Sequence, residues 1–173
     1  MYRNCTLSLL AITVSFCLVF PSRGAAEDSS TTACTFGSGD QVSVRYVSTP
    51  IPKKQNIPEG EPWTPGDKPL FLFTQAPLTI GDLNVPAGAF SLYTVKDVEK
   101  KKETWSLVVS RNVEQPESYD KSKDLGRVPI ETGHLMSDSD EFRAYMGRLG
   151  PSTCTLRLDI GQTRAFVDIK DKR

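Results

Sequence analysis

Apolar and polar residues alternate in short segments of this 173-residue chain, and turn residues separate the segments. Successive side chains of an extended strand point to opposite faces, so a period of two is typical of strands with one buried face. The chain has no convincing amphipathic helix to alternate with such strands, which disfavours a parallel sheet. The alternating segments are residues 42–46, 105–109 and 156–160, and aromatic or β-branched runs add 70–74, 89–95 and 164–169.

Turn signals between these segments favour antiparallel pairing. Gly161-Gln162 makes residues 154–170 the clearest hairpin, while residues 137–143 fit either a helical turn or a strand. Many short strands together with 12 Pro and 12 Gly predict a single-domain, all-β antiparallel β-sandwich, with a barrel-like form as the alternative.

The first 26 residues have the pattern of an export signal. Arg3 precedes an uncharged run at residues 5–20, and Gly24 and Ala26 stand at the two small-residue positions of a cleavage site. A transmembrane anchor is the rival interpretation, but the run is shorter than the roughly 20 strongly apolar residues that a span needs, and it contains Ser and Thr. We therefore predict a cleaved signal peptide at 1–26, a short flexible linker at 27–33 and the domain at 34–173. The protein would be periplasmic or secreted, without a membrane span after cleavage.

Removal of the signal leaves two of the four cysteines, Cys34 and Cys154. Two thiols in an oxidising compartment predict one disulfide. A bond that closes a loop of about 120 residues stabilises the fold by roughly 4–5 kcal/mol at most. Neither cysteine belongs to a C-x-x-C motif, which disfavours a redox-active role.

The charges exclude some functions. The 21 basic and 21 acidic residues give no basic field for nucleic acid, and the single His excludes zinc signatures that need two imidazoles. No phosphate-binding glycine motif is present, so we predict no catalytic residues, no metal and no cofactor. His134, with Ser137 and Asp138 nearby in sequence, keeps one alternative open, a hydrolase of envelope esters or glycans that uses His134 as base.

The proline-rich stretch at residues 48–69 cannot form a central strand and is predicted to cross the surface as an ordered loop. Trp63 within it could stack on a sugar or a peptide, or cover the core. We predict Trp63 as a ligand-binding residue and Arg127 as its charged partner. Candidate partners are envelope glycans, peptides or other envelope proteins.

Several motifs resemble a family of exported bacterial envelope proteins, the domain of unknown function 2911. They are Gly60 and Trp63 in the loop, a PAG-type hairpin at 86–92, the WSLVVS strand at 105–110 and the acid followed by RV at 124–128. The similarity covers about residues 34–170. It implies an exported, β-rich domain without an established activity. We therefore expect a non-enzymatic binding or structural module of the bacterial envelope.

Overall fold

A computed structural model describes residues 29–52, 56–99 and 102–173. The signal peptide predicted at 1–26 lies outside these described residues. Within them the chain forms eleven strands and two short 3-10 turns, at Pro65–Asp67 and Lys121–Lys123. The strands are β1 (Ser29–Thr35), β2 (Gln41–Val47), β3 (Leu70–Thr74), β4 (Leu78–Ile80), β5 (Leu83–Val85), β6 (Gly88–Glu99), β7 (Lys102–Ser110), β8 (Asp124–His134), β9 (Arg143–Gly150), β10 (Thr153–Ile160) and β11 (Thr163–Asp171).

The strands form one antiparallel sheet that is nearly closed into a barrel. Its order is β1-β2-β3-β6-β7-β8-β11-β10-β9, with β4 on the end of β11 and β5 on β4. The two ends of the sheet meet where the Met146 N–H donates to Thr32 Oγ1 at 2.8 Å. They meet again where the Phe142 N–H donates to the Thr49 carbonyl at 2.8 Å. The predicted single all-β antiparallel domain is confirmed, and it takes the barrel-like form.

The alternating apolar residues fill the interior. In β3, and in β10 from Cys154 to Leu158, the buried positions recur at every second residue, as the period of two predicts. Burial of each such side chain stabilises the fold by about 1.5–3 kcal/mol relative to exposure. The largest fully buried side chains include Phe142, Leu72, Leu92, Leu107, Leu156 and Leu158.

The predicted disulfide joins Cys34 of β1 to Cys154 of β10. Both residues are buried in the core. Beside the bond, the Gly37 N–H donates to the Pro151 carbonyl, which ties the β1–β2 turn to the β9–β10 turn. The covalent bond therefore lies where the first strand of the sheet meets the last hairpins.

The N-terminal boundary of the ordered domain differs from the sequence prediction. Residues 29–33, predicted as linker, belong to β1, where Thr32 pairs with Val44. The segment has no apolar alternation, but β2 supplies its hydrogen-bond partners and β-branched threonines suit a strand. Residues 137–143 contain an isolated bridge at Glu141 followed by the start of β9. No helix among the described residues has the length and hydrophobicity needed to cross a membrane.

Candidate functional site

The proline-rich loop at residues 48–69 is attached to the sheet through Trp63. The Trp63 N–H donates to the Thr94 carbonyl, and the Thr94 N–H donates to the Trp63 carbonyl, both at 2.8 Å. The loop thus extends the line of β3 along β6, beyond the pair Leu70–Leu92. The indole is 9% exposed and packs in the core. Trp63 therefore fixes the loop from the inside of the barrel.

The loop ends in a tight turn with two left-handed residues. Gly66 has φ 64°, and a Cβ at this position would lie 2.7 Å from the Thr49 side chain. Asp67 follows with φ 55°, the one non-glycine residue of the described chain with positive φ. A non-glycine residue in this conformation costs about 1 kcal/mol or more and persists where its surroundings hold it. The start and the end of the loop therefore pack on each other through Thr49 and Gly66.

This turn forms one wall of a cavity of about 320 Å³, which we call the outer groove. A second wall comes from β1 and β2, and a third from the segment that follows β7. The groove opens on the outer face of the sheet. The side chains that define it are Arg45, Tyr46, Asp67, Lys68, Phe71 and Glu117.

The outer groove combines an aromatic surface with charges of both signs. The Arg45 guanidinium lies over the rings of Phe71 and Phe73, at 5.1 and 5.4 Å from their centroids. Two basic and two acidic side chains line the cavity, so its formal charge is balanced. A flat apolar face surrounded by hydrogen-bonding groups suits a neutral polar ligand with one apolar side. A charged ligand gains no net attraction from this balance.

The outer groove has no signature in the sequence of any one of its segments. Residues 70–74 were correctly predicted as a strand, and the alternation of Phe71 and Phe73 with Leu70 and Leu72 is the signal that one aromatic pair faces outward. The pairing of Phe71 with Arg45 is a matter of register between β2 and β3. Periodicity within one segment does not reveal that register.

Residues 111–123, which we call the strap, cover the outer face of β6 and β7. Beneath them lies a second apolar cluster of Tyr93, Val95 and Val108. Asn112, 3% exposed, donates from Nδ2 to the carbonyls of Gln115 and Ser118, both at 2.8 Å. Its Oδ1 accepts from Lys123 Nζ at 3.2 Å. Asn112 thereby folds the strap, which in turn brings Glu117 to the outer groove.

Tyr119 holds the C-terminal part of the strap against the sheet. Its hydroxyl donates to Asp124 Oδ2 at 2.5 Å, and its ring meets that of Tyr93 edge-on at 5.2 Å between centroids. Burial, followed by the hydrogen bond to Asp124, raises the pKa of Tyr119 from 10.0 to about 12. Asp124 Oδ1 is buried without a hydrogen-bond partner. The tyrosine proton is therefore firmly held at neutral pH.

Trp63 and Arg127 do not share one cavity. Trp63 faces the interior, whereas Arg127 on β8 pairs with Val108 and extends from the outer face. The Arg127 side chain is 44% exposed, and its Nη1 lies 4.0 Å from Asp97 Oδ2. Neither residue lines the outer groove.

His134, the candidate base of a hydrolase, is exposed at the end of β8. Its charged neighbour is Glu103, which accepts from Trp105 Nε1 at 2.6 Å and pairs with Lys96 at 2.9 Å. Burial alone would raise the pKa of Glu103, but the Trp105 and Lys96 contacts outweigh it and bring that pKa below its usual value, with a smaller contribution from His134.

Two of the polar side chains that follow His134 in the sequence, Asp138 and Ser139, have other partners. Ser139 Oγ donates to the Glu141 carbonyl at 2.5 Å, and Asp138 accepts from Gln162 at 2.8 Å. Within the described residues, no hydrogen bond connects His134 to a serine, and no three His, Cys, Asp or Glu side chains are grouped to hold a metal ion.

Residues 28–169 match the model of a protein family that is described as "Protein of unknown function (DUF2911)". The match covers most of the chain, in agreement with the motifs in the loop, the hairpin and the strands. No curated protein and no solved structure matches the chain significantly.

Proposed function

Because the chain belongs to the DUF2911 family, whose description assigns no activity, we propose a function from its own surface. The protein is an exported, non-enzymatic binding module of the bacterial envelope. Its ligand occupies the outer groove at the end of the proline-rich loop. The ligand class is a neutral saccharide, with one sugar ring lying on Phe71.

The observation that carries this proposal is the composition of the outer groove. Three separate parts of the chain meet there, and the turn that contributes Asp67 is held in a left-handed conformation against Thr49. The part of the half-buried Phe71 ring that the Arg45 guanidinium leaves uncovered offers a sugar an apolar surface, while Arg45, Asp67 and Glu117 offer donors and acceptors to its hydroxyls. The volume of about 320 Å³ is at the lower end of the range for small-molecule sites.

Export is supported by the leader pattern and by the disulfide. Disulfides persist in oxidising compartments and are rare in the cytosol of most organisms. Mass spectrometry of the protein from cells is expected to find an N-terminus at Glu27 in the periplasmic or secreted fraction. An intact Met1 in the cytosolic fraction would refute export.

The binding proposal is tested with two variants of matched chemistry. Phe71→Ala removes the ring in the groove, whereas Phe73→Ala removes the same ring two residues along the same face, outside the groove lining. A panel of neutral oligosaccharides is screened against the disulfide-bonded protein by thermal shift, and each hit is titrated by calorimetry. We expect Phe71→Ala to weaken binding about tenfold or more and Phe73→Ala to change it by less than about threefold.

Equal losses in both variants would overturn the placement in the groove, and the absence of any saccharide hit would overturn the ligand class. Peptides screened in parallel identify a protein-binding or structural module instead. Turnover of an ester or glycan substrate that is lost in His134→Ala would favour the hydrolase. Arg127→Gln in the same titrations tests Arg127, which stays a proposed ligand residue of a separate surface.

A further inference from the structure

A buried carboxylate lies between arginines on the outer face of the last three strands of the sheet. Asp159 of β10 is directly opposite Arg143 of β9 and Arg164 of β11. It is 6% exposed, and Arg164 binds it with two nitrogens, at 3.0 and 3.3 Å. Two-point binding by a guanidinium fixes the orientation of both groups.

The Arg157 guanidinium also lies near Asp159, although Arg164 already binds this carboxylate. Arg157 Nε lies 3.5 Å from Asp159 Oδ1, is shielded from solvent and makes no hydrogen bond. Its guanidinium carbon lies 4.1 Å from the centroid of the Tyr145 ring. The Tyr145 hydroxyl also stands beside Arg143, whose pKa it raises. Two arginines thus lie within 4 Å of one buried carboxylate, and Arg143 is its cross-strand neighbour on β9.

An open cavity of about 410 Å³ adjoins this cluster, and its two walls differ in charge. The strand wall contains Arg143, Tyr145 and Asp159. Behind it, Arg157 contacts Tyr145 and Arg164 contacts Asp159. The loop wall is formed by residues 135–141 and presents Asp138 and Asp140.

Glu141, on the same loop wall, lies 3.8 Å from Arg143 and accepts from Ser48 Oγ at 3.1 Å. Both side chains of the Glu141–Arg143 pair are at least half exposed, so the pair contributes little and a ligand can replace it. Arg143 is therefore available on the strand wall.

We propose that this cavity binds a small zwitterionic group, with its oxyanion on Arg143 at the strand wall and its ammonium group on Asp138 and Asp140 at the loop wall. A simple anion gains the Arg143 guanidinium but also meets the carboxylates of the loop wall, and a simple cation gains those carboxylates but also meets Arg143. A ligand with both charges gains from both walls, because each charge meets its opposite. The oxyanion is the carboxylate of an amino acid or the phosphate of an aminoalkyl phosphate.

The test uses small probes and one pair of arginine variants. Glycine and phosphoethanolamine are the zwitterionic probes, acetate and inorganic phosphate the anionic ones, and ethylamine the cationic one. Each is titrated into the disulfide-bonded protein and followed by NMR chemical shifts. Arg143→Gln removes the exposed cation of the cavity, and Arg148→Gln is its control, because Arg148 is an exposed arginine of the same strand outside the cavity lining.

We expect a zwitterion to bind at least about tenfold more tightly than either single-charge class, with shifts centred on Tyr145 and residues 138–140. Arg143→Gln should weaken it about tenfold, and Arg148→Gln should leave it unchanged. The stronger of the two zwitterions identifies the oxyanion as carboxylate or phosphate. Equal binding of acetate or phosphate, equal losses in both variants or the absence of shifts in this cavity would each overturn the proposal. None of these outcomes depends on the saccharide proposed for the outer groove.

Discussion

Trp63 and Thr94 exchange two main-chain hydrogen bonds of 2.8 Å, while the indole of Trp63 lies in the core. One residue therefore connects the long loop both to the edge of β6 and to the interior. Trp63→Ala removes the buried ring and is expected to lower the free energy of unfolding by about 3–5 kcal/mol. Urea denaturation measures this loss. Trp63→Phe keeps a ring in the core and should lose clearly less. An unchanged free energy of unfolding in Trp63→Ala would mean that the indole does not support the fold.

The Cys34–Cys154 disulfide stabilises the fold mainly because it restricts the unfolded chain. Replacing both Cys34 and Cys154 with Ala removes a bond across a sequence separation of 120 residues and should lower the free energy of unfolding by about 2–5 kcal/mol. Chemical denaturation of the oxidised protein and of the variant gives the difference. A free-thiol assay on the denatured, unreduced protein without residues 1–26 is the control, and two titratable thiols would contradict the bond.

The turn at Gly66 allows a comparison between two glycines of positive φ. Gly66→Ala places a Cβ 2.7 Å from the Thr49 side chain, whereas Gly39→Ala, at φ 94°, meets nothing within 4 Å. Both variants carry the backbone strain of about 1–3 kcal/mol, but only the first adds a steric clash. Gly66→Ala should therefore be the less stable variant in thermal unfolding. Equal melting temperatures would show that the loop yields at Thr49 without cost.

The Tyr119 hydroxyl predicts a dependence of stability on alkaline pH. Its pKa is raised from 10.0 to about 12 in the folded protein, so the folded state holds the proton more tightly than the unfolded state. The resulting stabilisation is complete below pH 10 and is lost as the pH rises towards 12.

The variant that removes this proton is Tyr119→Phe. The difference in unfolding free energy between the natural protein and Tyr119→Phe should be constant from about pH 7 to about pH 9 and should shrink by about pH 11. Guanidinium denaturation at each pH measures it. A difference that stays constant at alkaline pH would contradict the hydrogen bond to Asp124.

The strands that alternate clearly were predictable from the sequence, and the polar ones were not. Residues 42–46 and 156–160 lie in β2 and β10 as predicted. The sequence does not indicate the full length of β8, because Pro129 and the polar residues Glu131, Thr132 and His134 interrupt its apolar pattern. Its place in the sheet comes from β7 and β11, which pair with it on either side.

The sites depended even more on tertiary contacts. In the described part of the proline-rich segment, Trp63 pairs with Thr94, and its buried indole agrees with the alternative in which Trp63 covers the core. The stacking of Arg45 on Phe71 and the cluster around Asp159 arise from strand register. Register between distant segments is set by the whole barrel, so no local sequence pattern predicts it.

Ser29, the first residue of β1, lines the outer groove, whereas the C-terminal residues lie beside the turn at the other end of that strand, where Asp171 accepts from Ser38 Oγ. Seven strand residues, about 23 Å, separate the two ends of β1. The N-terminal end of β1 therefore lies at the rim of the groove. An affinity tag or surface tether attached through the N-terminus would crowd the proposed ligand, so immobilised binding assays should hold the protein by its C-terminus.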